Sequence, residues 1–68
     1  MPDIHIYEFD LTDLTPEQRN QLERRVEDNS VVSFCYDIDD IFRPHAAVTE
    51  EQLKELNLPK NCYVTRLD

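Results

Sequence analysis

Residues 33–47, SFCYDIDDIFRPHAA, decide how many strands this chain is given. The stretch opens as an apolar run, passes three carboxylates, Asp37, Asp39 and Asp40, and then reaches Arg43, Pro44 and His45. Proline removes a backbone donor and demotes any strand in which it falls. On that ground the residues up to Ile38 are expected to form a strand, and the acids with Pro44 a loop. Alternation assigns Val32, Phe34, Tyr36 and Ile38 to the inner side of that strand, and Val31, Ser33, Cys35 and Asp37 to the outer side. The inner set is the more apolar, which marks the strand as the central one.

Working outward toward the N-terminus, residues 3–11, DIHIYEFDL, alternate as well. His5, Tyr7, Phe9 and Leu11 share a core-directed face, and Ile4, Ile6, Glu8 and Asp10 share the other. Between the two strands lies TPEQ, in which Thr15 can cap a helix, Pro16 suits its first position and Gln18 completes a capping box. A helix over residues 16–28 is expected, with Leu22 and Val26 as its buried stripe and Asn29 and Ser30 as its stop. Toward the C-terminus, VTEEQLKELNLP repeats the capping logic, with Thr49 as cap, Gln52 three residues on, and Val48 stapled to Leu53. Pro59 ends this second helix, and CYVTRLD reads as a last strand.

The expected order is β-α-β-α-β in a single domain over residues 1–68: a small two-layer α+β sandwich, a three-stranded sheet with two helices on one face. Crossovers through helices would make part of that sheet parallel. The sheet's other face would be bare, carrying Ile4, Ile6, Val31, Cys35 and one alternating set of the last strand, beside Glu8, Asp10 and Asp37. Such a face is either a contact surface for a second copy or another protein, or a solvated face with scattered apolar residues.

Composition narrows the function classes. The chain of 68 residues has no glycine, so phosphate-cradling glycine loops are excluded. Fifteen Asp and Glu against seven Lys and Arg give a formal net charge of −8, spread along the whole chain. Direct binding to nucleic acid or to an anionic membrane is disfavoured, because both need a basic patch. The first residues lack the apolar run of a signal peptide or membrane span, which points to a soluble, cytoplasmic protein. There, Cys35 and Cys62 are expected as reduced, buried thiols, too few for a structural zinc site.

No motif identifies a reaction. Asp37, Asp39 and Asp40 could attract a hard cation, but strand alternation splits them between faces and no glycine supplies a calcium loop's sharp turn. His45 with Cys35 could be read as base and nucleophile, yet the neighbours of Cys35 read as sheet packing. No enzyme, metal or cofactor is therefore expected. The informative feature is the set of acids. Arg24 is placed to pair with Asp28, and Arg19 and Arg25 to neutralise Glu23 and Glu27. Glu8, Asp10 and Asp13 after the first strand, Asp37, Asp39 and Asp40 after the second, and Glu51 with Glu55 remain unpaired in the sequence, although a first-turn Glu51 also favours the helix dipole; all but Asp13 are the candidate docking residues. Like charges at this density cost stability, and a basic partner would relieve them.

Two functions follow as expectations. The first is a non-enzymatic module that docks through these seven acids on a basic protein, such as a nucleic-acid-binding enzyme or complex. It would act as a nucleic-acid mimic, in the manner of phage or mobile-element inhibitors. The second is a structural or assembly subunit that forms a homodimer, or holds a partner, through the bare sheet face.

Overall fold

A computed structural model describes residues 3–68 of the chain. The elements run β1 (Ile4–Asp10), α1 (Pro16–Asp28), β2 (Val32–Asp37), β3 (Asp40–Thr49), α2 (Glu50–Glu55) and β4 (Tyr63–Arg66). The sheet therefore has four strands, in the order β2-β3-β1-β4, and every neighbouring pair is antiparallel. This corrects the three-stranded, partly parallel sheet expected above. β1 and β2 do run in the same direction, as a helical crossover requires, but β3 inserts between them and opposes both. The result is the β-α-β-β-α-β connectivity of the split β-α-β, ferredoxin-like arrangement.

The additional strand is the stretch read as a loop. Asp37 pairs with Asp40, leaving Ile38 and Asp39 as a two-residue hairpin turn, and the Asp39 N–H donates to Asp37 Oδ1 at 3.1 Å. Pro44 sits inside β3, where Cys35 faces His45 and Asp37 faces Asp40. Four residues of β3, 41 to 44, thus stand opposite the single Tyr36, and a strand residue without an N–H is tolerated at such an irregularity. The alternation was present all along: Pro44, Ala46 and Val48 are buried, while Arg43, His45 and Ala47 point away from the core.

A further correction concerns β2, which is an edge strand and not the central one. Of its expected inner set only Phe34 is half-buried; Ile38 is 96% exposed at the hairpin tip. A second register shift, between Val32 and Cys35, turns Val32 to the helix-free face beside Ala47 and Ile6.

The remaining elements form where local chemistry places them. Tyr7, Phe9 and Leu11 are buried, and Ile4 and Ile6 are exposed on the opposite face. Both capping boxes are complete: Thr15 Oγ1 accepts from the Gln18 N–H at 3.1 Å, and Thr49 Oγ1 from the Gln52 N–H at 3.1 Å. Leu22 and Val26 of α1, with Leu56 at the end of α2, join Phe9, Ala46 and Val48 in one core cluster, so both helices cover the same sheet face. The expected ion pairs within α1 are absent. Arg25 instead donates to the carbonyls of Leu56 and Asn57, each at 3.2 Å, so the first helix supplies donors to the free carbonyls closing the second. Asn57 holds the left-handed conformation, φ 49°, that glycine takes in most helix ends and that this glycine-free chain gives to asparagine.

Candidate interaction surface

Strand register builds the helix-free face row by row. Val32, Ala47 and Ile6 lie side by side on β2, β3 and β1; Cys35, His45, Glu8 and Thr65 form the next row, and Asp10 pairs with Tyr63 beyond it. Leu67 extends the first row, its N–H bonded to the Ile6 carbonyl at 2.8 Å. No helix covers these residues, and Ile4, Ile6, Val32, Tyr63 and Leu67 are between 45% and 64% exposed. A shallow hollow of about 260 Å³ lies among Ile6, Val32, Cys35, His45 and Ala47. The face is apolar toward the start of β1 and acidic toward its end.

The acidic end gathers five of the seven expected residues. Because β1 and β2 run the same way, Asp10 closes one and Asp37 the other, with Asp40 opening β3 between them. Each of these three carboxylates has a local task. Asp10 Oδ1 accepts from the Thr12 N–H at 3.0 Å, and hydrogen bonds from the Thr12 side chain and backbone hold its carboxyl below the usual range. Asp37 closes the hairpin turn, and Asp40 Oδ1 accepts from the Phe42 N–H at 3.3 Å while its Oδ2 lies 3.8 Å from Arg43. Asp39 is exposed at the turn, and Glu8 Oε2 lies 3.8 Å from His45 Nε2 on the open face. Arg43 tempers the cluster, lying 3.8 Å from Asp40 and near enough to Asp10 to help lower its carboxyl.

Glu51 and Glu55 do not join them. α2 follows Thr49, which pairs with Ile4 at the opposite end of the sheet, and Glu51 there borders a hollow with Asp3, Thr49 and Glu50. The seven acids therefore form two groups and not one continuous edge.

Cys35 is exposed, contrary to the expectation of two buried thiols, whereas Cys62 is buried; both are free. Although Cys35 and His45 face each other across the β2–β3 ladder, the thiol donates to the Ser33 carbonyl at 3.7 Å and the imidazole leans to Glu8. The pair does not form a nucleophile–base hydrogen bond. Among the described residues no three His, Cys, Asp or Glu side chains are grouped to hold a metal ion. His5 Nδ1 lies 3.5 Å from Asp68 Oδ2, at the other margin of the sheet.

Reading the sequence missed Val32 and Ala47 as members of the open face, and placed one alternating set of the last strand there without choosing between the two; Tyr63 and Leu67 belong to the set that the structure puts there. The signal for Val32 and Ala47 was the alternation of residues 42–48, hidden by Pro44, and the register shift that exchanges Val32 for Val31. No protein-family model, curated protein or solved structure was found to match the chain.

Proposed function

We propose that this chain is a non-enzymatic protein-interaction module that docks on a basic protein through the helix-free sheet face and its acidic end. The carrying observation is that face: Ile4, Ile6, Val32, Tyr63 and Leu67 stand exposed together, and the patch ends in Asp10, Asp37 and Asp40. A molecule measuring 35 × 24 × 18 Å offers at most about 800 Å² on one broad face, the area that a standard interface takes from each partner. A stable complex would have to use the whole face, acidic end included. The partner must then bring apolar surface for one half and cations for the other.

A nucleic-acid-binding protein is the basic partner that the net charge of −8 favours, because its groove already holds cations spaced for phosphates. Blocking that groove is the action of an inhibitor of the kind carried by phages and mobile elements. The second reading, a homodimer through the same face, draws on the separation of its apolar and acidic ends. A two-fold overlap of the apolar ends would point the acids away from each other.

The test is capture from a host lysate at low salt by the wild-type chain, by Ile6→Asp, and by a triple variant with Asp37, Asp39 and Asp40 changed to Asn. The amide keeps the Oδ1 acceptor that each turn uses. A basic protein retained by wild type, lost by both variants and displaced by added nucleic acid is the expected result. Self-association that ignores salt and is lost only in Ile6→Asp would reject docking in favour of assembly.

A further inference from the structure

We infer that the outer edge of β2 accepts an extended segment of a partner protein, with a lysine or arginine of that segment seated between β2 and α1. The inference rests on the reading that the partner is basic, and it concerns a different surface from the open face. β2 is the outermost strand, and its only strand partner is β3. Among the described residues, its backbone makes no hydrogen bond to any segment on the other side. Exposed edges are usually blunted by lysine, proline, a β-bulge or a very short strand. VSFCY, residues 32–36, contains neither lysine nor proline, and the first charge is Asp37 at its end; the extra residue of its own register shift lies between Val32 and Cys35, and that of the second shift lies in β3, so the run from Phe34 to Asp37 is the part offered to an added strand. The opposite edge, β4, is four residues long and carries Arg66, whose Nε bonds back to the Asp68 carbonyl at 3.1 Å.

Side chains beside the β2 edge specify what it would take. A hollow of about 90 Å³ opens where α1 meets β2, lined by Glu23, Glu27, Ser33, Phe34 and Tyr36. The Phe34 and Tyr36 rings meet edge to face at 6.0 Å, and the Tyr36 hydroxyl donates to Glu23 Oε1 at 2.7 Å, which fixes that carboxylate. Glu27 is exposed and makes no ion pair among the described residues. In an added strand, alternate side chains fall on the helix side, over these rings, and the others on the open face beside Val32 and Cys35. A lysine or arginine on the helix side lays its stem on the rings and its charge against Glu23 and Glu27. A β-branched residue suits the other side. A second copy of β2 is a poor occupant, because Val32–Asp37 contains no cation and pairing two copies would bring both sets of glutamates together.

The experiment uses fluorescently labelled peptides with blocked ends, followed by anisotropy at low salt: one alternating valine and lysine, one alternating valine and glutamate. Two further forms of the first are N-methylated on valines only or on lysines only. The valine–lysine peptide is expected to bind and the glutamate peptide not to. One N-methylated form should keep affinity and the other lose it, because only one row of peptide N–H groups faces β2. Changing Glu23 and Glu27 together to Gln should weaken binding about tenfold. No binding, equal binding of both N-methylated forms, or indifference to the double variant would each overturn the inference. Ile6→Asp, two strands away from the β2 edge, should leave peptide affinity unchanged, and the triple Asp→Asn variant, whose charges lie beyond the hollow at Glu23 and Glu27, should weaken it less than the Glu23 and Glu27 change does. A peptide that binds as described while no basic protein is captured keeps the edge and removes the functional reading; a captured partner with a negative peptide result does the reverse.

Discussion

Two thiols in this chain meet opposite surroundings: Cys35 is exposed on the open face, and Cys62 is buried against the core. Burial, reinforced by the charge of Asp10, pushes the Cys62 thiol up to about 11. A thiol-disulfide reagent at neutral pH should therefore label Cys35 in the folded protein and reach Cys62 only as the chain unfolds, an order that mass spectrometry of the adducts reads directly. Tyr36 is perturbed in the same sense. Burial first, and then its hydrogen bond to the Glu23 carboxylate, keep the phenol protonated well above its ordinary value of 10.0. Because the folded-state value is raised, the neutral phenol's contribution to stability is complete below pH 10 and is lost as pH climbs through the folded value. Urea unfolding of wild type and Tyr36→Phe should differ by about 0.5–1 kcal/mol at pH 8, and by progressively less above pH 10. Neither residue's environment was legible in the sequence. Alternation placed Cys35 on the outer side correctly, but how exposed it is depends on β2 being an edge, and the Glu23 contact depends on how α1 crosses it.

Helix starts were the most legible boundaries, because a capping box is complete within four residues; the end of α2 was not, since the helix stops at Glu55 and the left-handed Asn57 turns the chain before Pro59 is reached. Thr15 and Thr49 each satisfy an N–H that the helix leaves free, while Gln18 and Gln52 return the bond to the cap N–H. Thr15→Ala and Thr49→Ala should each lower unfolding free energy by about 1 kcal/mol in chemical denaturation, without change in the folded far-UV spectrum. β3 was the least legible, for a definite reason. Its alternation of buried Pro44, Ala46 and Val48 with outward His45 and Ala47 runs through two alanines and a proline, so its β-branched and aromatic residues, Ile41, Phe42, Val48 and Thr49, are split between its two ends and give no continuous strand signal. The hairpin before it hides in the same way. Its turn, Ile38-Asp39, contains neither glycine nor a residue at positive φ, so the asparagine–glycine signature of tight hairpins is missing. The acids read as a possible site are in part the polar groups that make this turn possible.

At the scale of the whole molecule, the sheet divides function from stability. Phe9 is fully buried under both helices, whereas Ile6, three positions earlier on the same strand, is 45% exposed on the open face. Phe9→Ala should cost about 3–5 kcal/mol, while Ile6→Asp, at a half-exposed site on an internal strand, should cost about 1–2 kcal/mol, the contrast being read by calorimetry on the two variants. That two-sided layout was legible, since alternation and caps act locally. Strand order was not, because inserting one strand between β1 and β2 moves β2 from centre to edge without altering any residue of β2. The insertion also bears on how the chain reaches this state. Among the described residues β1 pairs with β3 and β4, so the middle of the sheet cannot close until β3 exists, and the outer side of β1 stays open until β4 follows α2. Only the β2–β3 hairpin can form from neighbouring residues. Folding is therefore governed by distant encounters, which slow it, and during synthesis the alternating apolar residues of β1 wait unpaired until β3, about thirty residues further on, has emerged.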